Sequence, residues 1–165
     1  MVLATNLGFP RIGVHRELKK AVEAFWKGES SQEDLQKTAK ELRRRHWTLQ
    51  KDAGLHHIPS NDFSFYDQVL DMTATLGAVP SRYQWKGGNV DLGTYFAMAR
   101  GRQQGGVDVT AMEMTKWFDT NYHYIVPEFE EGMTFKLSST KIFDEFEEAK
   151  AQGIKVKKGL FPWTA

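Results

Sequence analysis

Cysteine is absent from the 165-residue chain. That excludes a disulfide framework, a thiol nucleophile, a thiolate-held zinc and an iron–sulfur site within it. Long apolar runs are missing too. No stretch approaches the about 18 residues that a membrane helix needs, so no membrane partner is expected. The opening Met1-Val2-Leu3-Ala4-Thr5-Asn6 has neither a basic n-region nor an apolar h-region. A secretory signal is therefore not expected, and the cytoplasm is the expected compartment. Neither a Gly-x-x-x-x-Gly-Lys phosphate loop nor a Gly-x-Ser-x-Gly elbow occurs. The histidines are His15, His46, His56, His57 and His123, and none has the helical spacing to another ligand that a metal site uses. No metal site is expected in this chain.

An excess of one charge is also lacking: 22 Lys and Arg stand against 21 Asp and Glu, a net charge of +1. Such a balance is unusual for a nucleic-acid binder, and none is expected as a partner. The balance hides an asymmetry. Residues 1–60 hold 11 basic and 7 acidic side chains, whereas residues 113–150 hold 4 basic and 9 acidic ones. Hydrophobic residues make up 41% and charged ones 26%, which suits a globular domain. The length fits one domain, residues 1–165.

Periodicity predicts the elements. The segment Leu7-Gly8-Phe9-Pro10-Arg11-Ile12-Gly13 reads as a short strand, centred on residues 6–10, that ends at glycine. Leu18, Ala21, Val22 and Phe25 share one face of a helix over residues 16–27. Ser30 with Glu33 fits a capping box for a second helix, over residues 31–52. Leu35, Ala39, Leu42, His46, Leu49 and Ala53 form its apolar face. A strand is expected at 56–60 and helices at 63–77 and 91–100, while 111–126 stays open between helix and strand. Thr134-Phe135-Lys136-Leu137-Ser138 alternates and reads as a strand. A helix over 141–152 and a strand over 154–161 close the chain. Strands alternating with helices imply α/β with parallel pairing and an unpaired sheet edge that exposes apolar side chains.

Two segments carry candidate chemistry. At the strand-to-helix junction, Arg16 and Lys19, with Arg11 nearby, sit where a helix N-terminus already disfavours cations. A carboxylate or phosphate ligand would offset that repulsion. A solvated basic face with Glu17 as partial partner is the other reading. In segment 113–129, Lys116, Asp119, Asn121 and His123 stand among aromatic residues. They suit orientation of a polar ligand, or equally the wet side of an amphipathic segment. Arg43-Arg44-Arg45-His46-Trp47 spreads around a helix and forms no single patch for RNA.

Four runs together carry a family resemblance: Leu7 to Gly13, Arg16-Glu17-Leu18-Lys19-Lys20-Ala21, Asn61-Asp62-Phe63-Ser64-Phe65-Tyr66-Asp67, and Glu113 to Tyr124. From about Leu7 to Lys155 the chain closely resembles the N-terminal portion of cobalamin-independent methionine synthases. Those enzymes transfer a methyl group from 5-methyltetrahydropteroyltri-L-glutamate to L-homocysteine in methionine biosynthesis. The resemblance implies two facing (β/α)8 TIM barrels. This chain would be an incomplete barrel, the first part of the N-terminal one, with the C-terminal barrel as its partner. It implies folate polyglutamate binding by Arg16, Glu17, Leu18 and Lys19, chiefly Lys19, with Lys116 and Asn121 as further positions. No catalytic residue falls within the chain. The family's zinc, homocysteine contacts and proton donor belong to the C-terminal barrel. The chain alone is thus expected to be catalytically inactive. Residues 156–165 diverge from the family pattern, with Lys157 and Lys158 where an apolar strand is expected, as in a truncated product. A non-catalytic product, or a weak anion- or nucleic-acid-binding module, is the alternative.

Overall fold

The computed structural model describes residues 2–104 and 107–159, which divide into two compact units. One comprises residues 1–65 and 142–165, the other residues 66–141.

In the first unit, α1 (Glu17–Trp26) and α2 (Gln32–Asp52) pack through their apolar faces. Leu18 and Val22 of α1 and Leu35, Ala39 and Leu42 of α2 are buried. The cap of α2 is Ser31 rather than Ser30. Its hydroxyl accepts from the Asp34 amide at 3.1 Å, and the Asp34 carboxylate accepts from the Ser31 amide at 3.2 Å. The capping box is thus displaced by one residue, with the shorter acid in the reciprocal role. The apolar face also drifts from the expected one. Trp47 and Gln50 are buried, whereas Leu49 is 54% exposed and Ala53 is exposed. Trp47 anchors the far end, where its indole N–H donates to the Pro59 carbonyl at 3.1 Å.

The strand β1 (Ile58–Ser60) pairs in parallel with β6 (Val156–Gly159). The amide of His57 turns the other way, to the Ala4 carbonyl, and Thr5 forms a parallel bridge with His57. β1 therefore lies between the start of the chain and β6, with α1 and α2 as the first crossover. The expected strand at 6–10 is corrected to this one bridge at Thr5. Beyond it the chain leaves the ladder, and the Phe9 amide donates to the Asp62 carboxylate at 2.8 Å instead. The strand expected at 154–161 is found at 156–159, its two lysines included; residues 160 and 161 lie outside the described residues. Between β1 and β6 comes α5 (Lys141–Ala151), whose Ala149 joins Trp47, Ile58 and Ile154 in one apolar cluster.

In the second unit, α3 (Gln68–Thr75) starts five residues later than its apolar pattern suggests, because Asp67 caps it. α4 (Leu92–Arg100) is capped by Asp91, which accepts from the Thr94 amide at 2.8 Å. Two antiparallel hairpins follow: β2 (Arg102–Gln104) with β3 (Val107–Val109), and β4 (Met114–Lys116) with β5 (His123–Ile125). The open reading of 111–126 thus resolves to strand.

The expected strand at 134–138 is not one. Its backbone bonds to helix-end carbonyls: the Lys136 amide to Leu76 at 2.9 Å and the Ser138 amide to Thr75 at 2.8 Å. The partner of the segment is the end of α3 rather than another strand. Gly77 makes room for it. At φ 64° it turns the chain, and a Cβ there would lie 2.6 Å from the Ser138 hydroxyl. Among the described residues the strands form only small sheets and no closed barrel. Nor is any described helix long and apolar enough to cross a membrane.

Candidate functional site

The first group of site residues sits on one turn at the start of α1. Gly13, at φ 86°, ends the preceding loop. The Arg16 amide donates back to the Gly13 carbonyl at 3.1 Å, and the Leu18 amide to Ile12 at 3.0 Å. Arg16 itself takes a left-handed conformation, φ 61° and ψ 35°, and no side chain caps the helix through it. That backbone is uncommon outside glycine and is typical of built sites. Among the described residues the Arg16 guanidinium has no hydrogen-bond or ion-pair partner, and the side chain is exposed.

Glu17 is committed to the protein. Its carboxylate accepts from Arg45 at 2.7 Å and from the His15 amide at 2.8 Å. Those bonds, the one from Arg45 foremost, lower its pKa from 4.5 to about 2. Leu18 is 1% exposed, so its side chain belongs to the core. Lys19 is half exposed and lies 3.5 Å from Glu23, one turn on. An exposed pair of this kind is weak and readily exchanged for a better anion.

The second group lies on the other unit, around the turn of the β4–β5 hairpin. Lys116 ends β4 opposite His123, and Asn121 follows the turn. Both are exposed, and the Lys116 ammonium has no partner among the described residues. The turn is rigidly bonded. The Trp117 amide donates to Tyr122 at 2.8 Å, and the Thr120 amide donates to Trp117 at 3.2 Å. Phe118, at φ 48° and 82% exposed, and Tyr124 stand edge-on to the Trp117 ring, each at 5.4 Å. Of the other residues singled out in this segment, Asp119 and His123 are exposed, and His123 Nδ1 lies 3.1 Å from the Asn121 carbonyl.

The three consecutive arginines have different fates. Arg43 binds Glu148 at 2.8 Å and Glu145 at 3.6 Å, Arg44 binds Glu41, and Arg45 binds Glu17. Arg11 donates to Ser64 at 3.2 Å. His46 is buried, and desolvation lowers its pKa. Among the described residues no group of three or more His, Cys, Asp or Glu is placed to hold a metal ion. Sequence reasoning missed the roles of Asp67 and Tyr122, which fasten the hairpin across 55 residues of chain. The run from Asn61 to Asp67 drew attention as a motif, but no spacing rule links it to Tyr122.

A parallel α/β unit with exposed cations at the start of a helix, and a second unit with an exposed lysine on an anchored hairpin, make this a mixed α/β protein. The chain belongs to the family described as cobalamin-independent synthase, N-terminal domain, which it matches over residues 3–162. It is 61% identical over 159 residues to a 5-methyltetrahydropteroyltriglutamate–homocysteine methyltransferase of Salinibacter ruber, covering 93% of this chain and 21% of that protein. Proteins of the same name from Flavobacterium johnsoniae and Syntrophotalea carbinolica are 60% and 57% identical over 94% and 96% of the chain. The chain spans 20% and 21% of their lengths.

Proposed function

We propose that this chain supplies the part of a folate site that receives the polyglutamate tail in a methyltransferase acting on 5-methyltetrahydropteroyltri-L-glutamate and L-homocysteine. The carrying observation is the contrast among its cations. Arg43, Arg44 and Arg45 are taken up by carboxylates, while Arg16 and Lys116 are exposed without such partners among the described residues. Both lie in runs that carry the family resemblance. The tail is a string of carboxylates, and charge-assisted bonds to it are the strong kind. In this reading Arg16 and Lys19 on one unit, and Lys116 and Asn121 on the other, are each contacts for the tail. Glu17 and Leu18 hold the turn that presents Arg16 and Lys19.

Residues 1–165 are, on this proposal, the opening part of a (β/α)8 barrel in a cytoplasmic enzyme. The parallel order Thr5, β1, β6 supports it. Residues 156–159 form β6 within that barrel, so a divergent tail is confined on this reading to the residues after it, and a C-terminal barrel is the partner. The residues of this chain do not fit a zinc site, having no cysteine and no metal-holding cluster among the described residues. Activation of the homocysteine thiol is therefore assigned to no residue here. Against the reading as a nucleic-acid module stands the largely buried pairing of Arg43 with Glu148 and Glu145.

The test is a titration of the chain with mono- and triglutamate forms of the folate, and with single-stranded RNA, at two salt concentrations. Contacts from one part of a site correspond to affinity of about 1 mM, on the order of 4 kcal/mol. Lys19→Ala and Lys116→Ala should each weaken triglutamate binding about threefold to tenfold, the size of one exposed charge contact. The monoglutamate form should change less, and the difference should shrink with salt as screening sets in over about 10 Å at 0.1 M. Equal losses for both folates would overturn the reading. So would submicromolar RNA binding that falls steeply with salt.

A further inference from the structure

The β4–β5 hairpin is a two-stranded sheet, and such a ribbon is barely stable in water unless something holds it. Ile125 is buried, and one carboxylate grips the hairpin at two points. Asp67 is 1% exposed and serves two elements at once. Its Oδ2 accepts from the Leu70 amide at 2.9 Å, capping α3, and from the Ile125 amide at 3.1 Å, at the end of β5. Its Oδ1 accepts from the Tyr122 hydroxyl. β5 is thereby gripped at Ile125 and again just before its first residue.

The second grip matters most for the turn. Tyr122 is bonded through its carbonyl to the Trp117 amide, so fixing Tyr122 also fixes the residue after Lys116. Asn121 is its immediate neighbour. Tyr122 is 43% exposed, and its hydroxyl ties it to the buried Asp67.

From this geometry we infer that Tyr122 is a positioning residue: through Asp67 it fixes the hairpin turn that holds Lys116 and Asn121 toward an anionic ligand. The inference rests on the proposed tail-binding role of Lys116. Tyr122→Phe is the sharp variant. It removes only the hydroxyl and leaves Asp67 with both backbone donors, so α3 keeps its cap.

The test uses NMR on the 165-residue chain, which reads millimolar affinities directly. In Tyr122→Phe, the Trp117 and Ile125 amides should exchange with solvent about tenfold faster, the equivalent of one charge-assisted hydrogen bond at the low end of its range. The Leu70 amide should be unchanged. Triglutamate folate should bind about threefold to tenfold more weakly, as in Lys116→Ala. The ratio of triglutamate to monoglutamate affinity should fall in both variants. A merely structural residue would not shift that ratio. Unchanged exchange at Trp117, or a Tyr122→Phe chain that binds triglutamate normally while Lys116→Ala does not, overturns the positioning role and leaves the tail site standing. Protection lost at Leu70 as well makes Tyr122 a stability residue and also overturns it. Normal binding by Lys116→Ala overturns the tail site, and the positioning role with it.

Discussion

Glu17 shows how one side chain makes a turn usable. Its carboxylate links Arg45 of α2 to the amide of His15, and the space it occupies exists because residue 13 is glycine. A Cβ at Gly13 would lie 2.2 Å from Glu17 Oε2 and 2.9 Å from the Leu42 side chain, on a backbone at φ 86°. Gly13→Ala should therefore lower the urea midpoint, at a cost of about 1–3 kcal/mol, and displace Glu17 from its place. The pH dependence has a definite sign. The pKa of Glu17 is lowered from 4.5 to about 2, so its contribution is complete above pH 4.5 and is lost as pH falls toward about 2. Glu17→Gln should flatten the stability profile between those values, measured as thermal midpoint against pH. A profile as steep as that of the unaltered chain would show that the Arg45 link does not support the fold.

Between elements, the attachment of α5 to α2 depends on Arg43. Its Nη2 lies 2.8 Å from Glu148 Oε2 and its Nη1 lies 3.6 Å from Glu145 Oε1. The three side chains are only 14%, 16% and 5% exposed, and the guanidinium also stands 5.2 Å over the Phe63 ring. Removing one partner from a buried cluster leaves charge in a poor solvent, at a cost of about 3–5 kcal/mol. Arg43→Ala should show that loss in chemical denaturation. Arg43→Lys should recover only part of it, because an ammonium cannot reproduce the planar fork or its stacking on Phe63. Arg44, exposed and paired within one helix, serves as the contrast. Arg44→Ala should change stability by less than about 1 kcal/mol.

For the whole molecule, the expected activity of the isolated chain is none. A thiol is a poor methyl acceptor until it is held as thiolate. Nothing among the described residues of this chain gathers the ligands that would hold a metal for that purpose. Methionine formation from 5-methyltetrahydropteroyltriglutamate and homocysteine should be undetectable with the chain alone, with or without added zinc. A 5-methyltetrahydropteroyltriglutamate–homocysteine methyltransferase such as that of Salinibacter ruber serves as the positive control. Turnover by the 165-residue chain would place catalytic residues inside it and overturn the assignment of chemistry elsewhere.

The sequence by itself determined whatever depends on neighbours along the chain. The apolar stripe of Leu18, Ala21, Val22 and Phe25 predicts a helix over 16–27, close to the observed Glu17–Trp26, since a helix face repeats within a few residues. The Leu35, Ala39, Leu42 and His46 part of the α2 stripe, the α4 stretch and the mixed α/β class were legible for the same reason. So was the family, because its runs are contiguous. Caps and ladder partners were not. Ser31 and Asp34 form the box that Ser30 and Glu33 seemed to offer, because two adjacent serines differ only in which meets the first turn. Residues 134–138 alternate as a strand does, yet only the fold supplies their partner, the end of α3. The candidate site divides along the same line. Arg16, Lys19, Lys116 and Asn121 were visible as residue types within matched runs. Tertiary structure alone decided that Glu17 is bound to Arg45, that Leu18 is core, and that Tyr122 reaches Asp67. Each of those outcomes is a contact between groups brought together only when the chain folds, and no local period encodes a contact of that range.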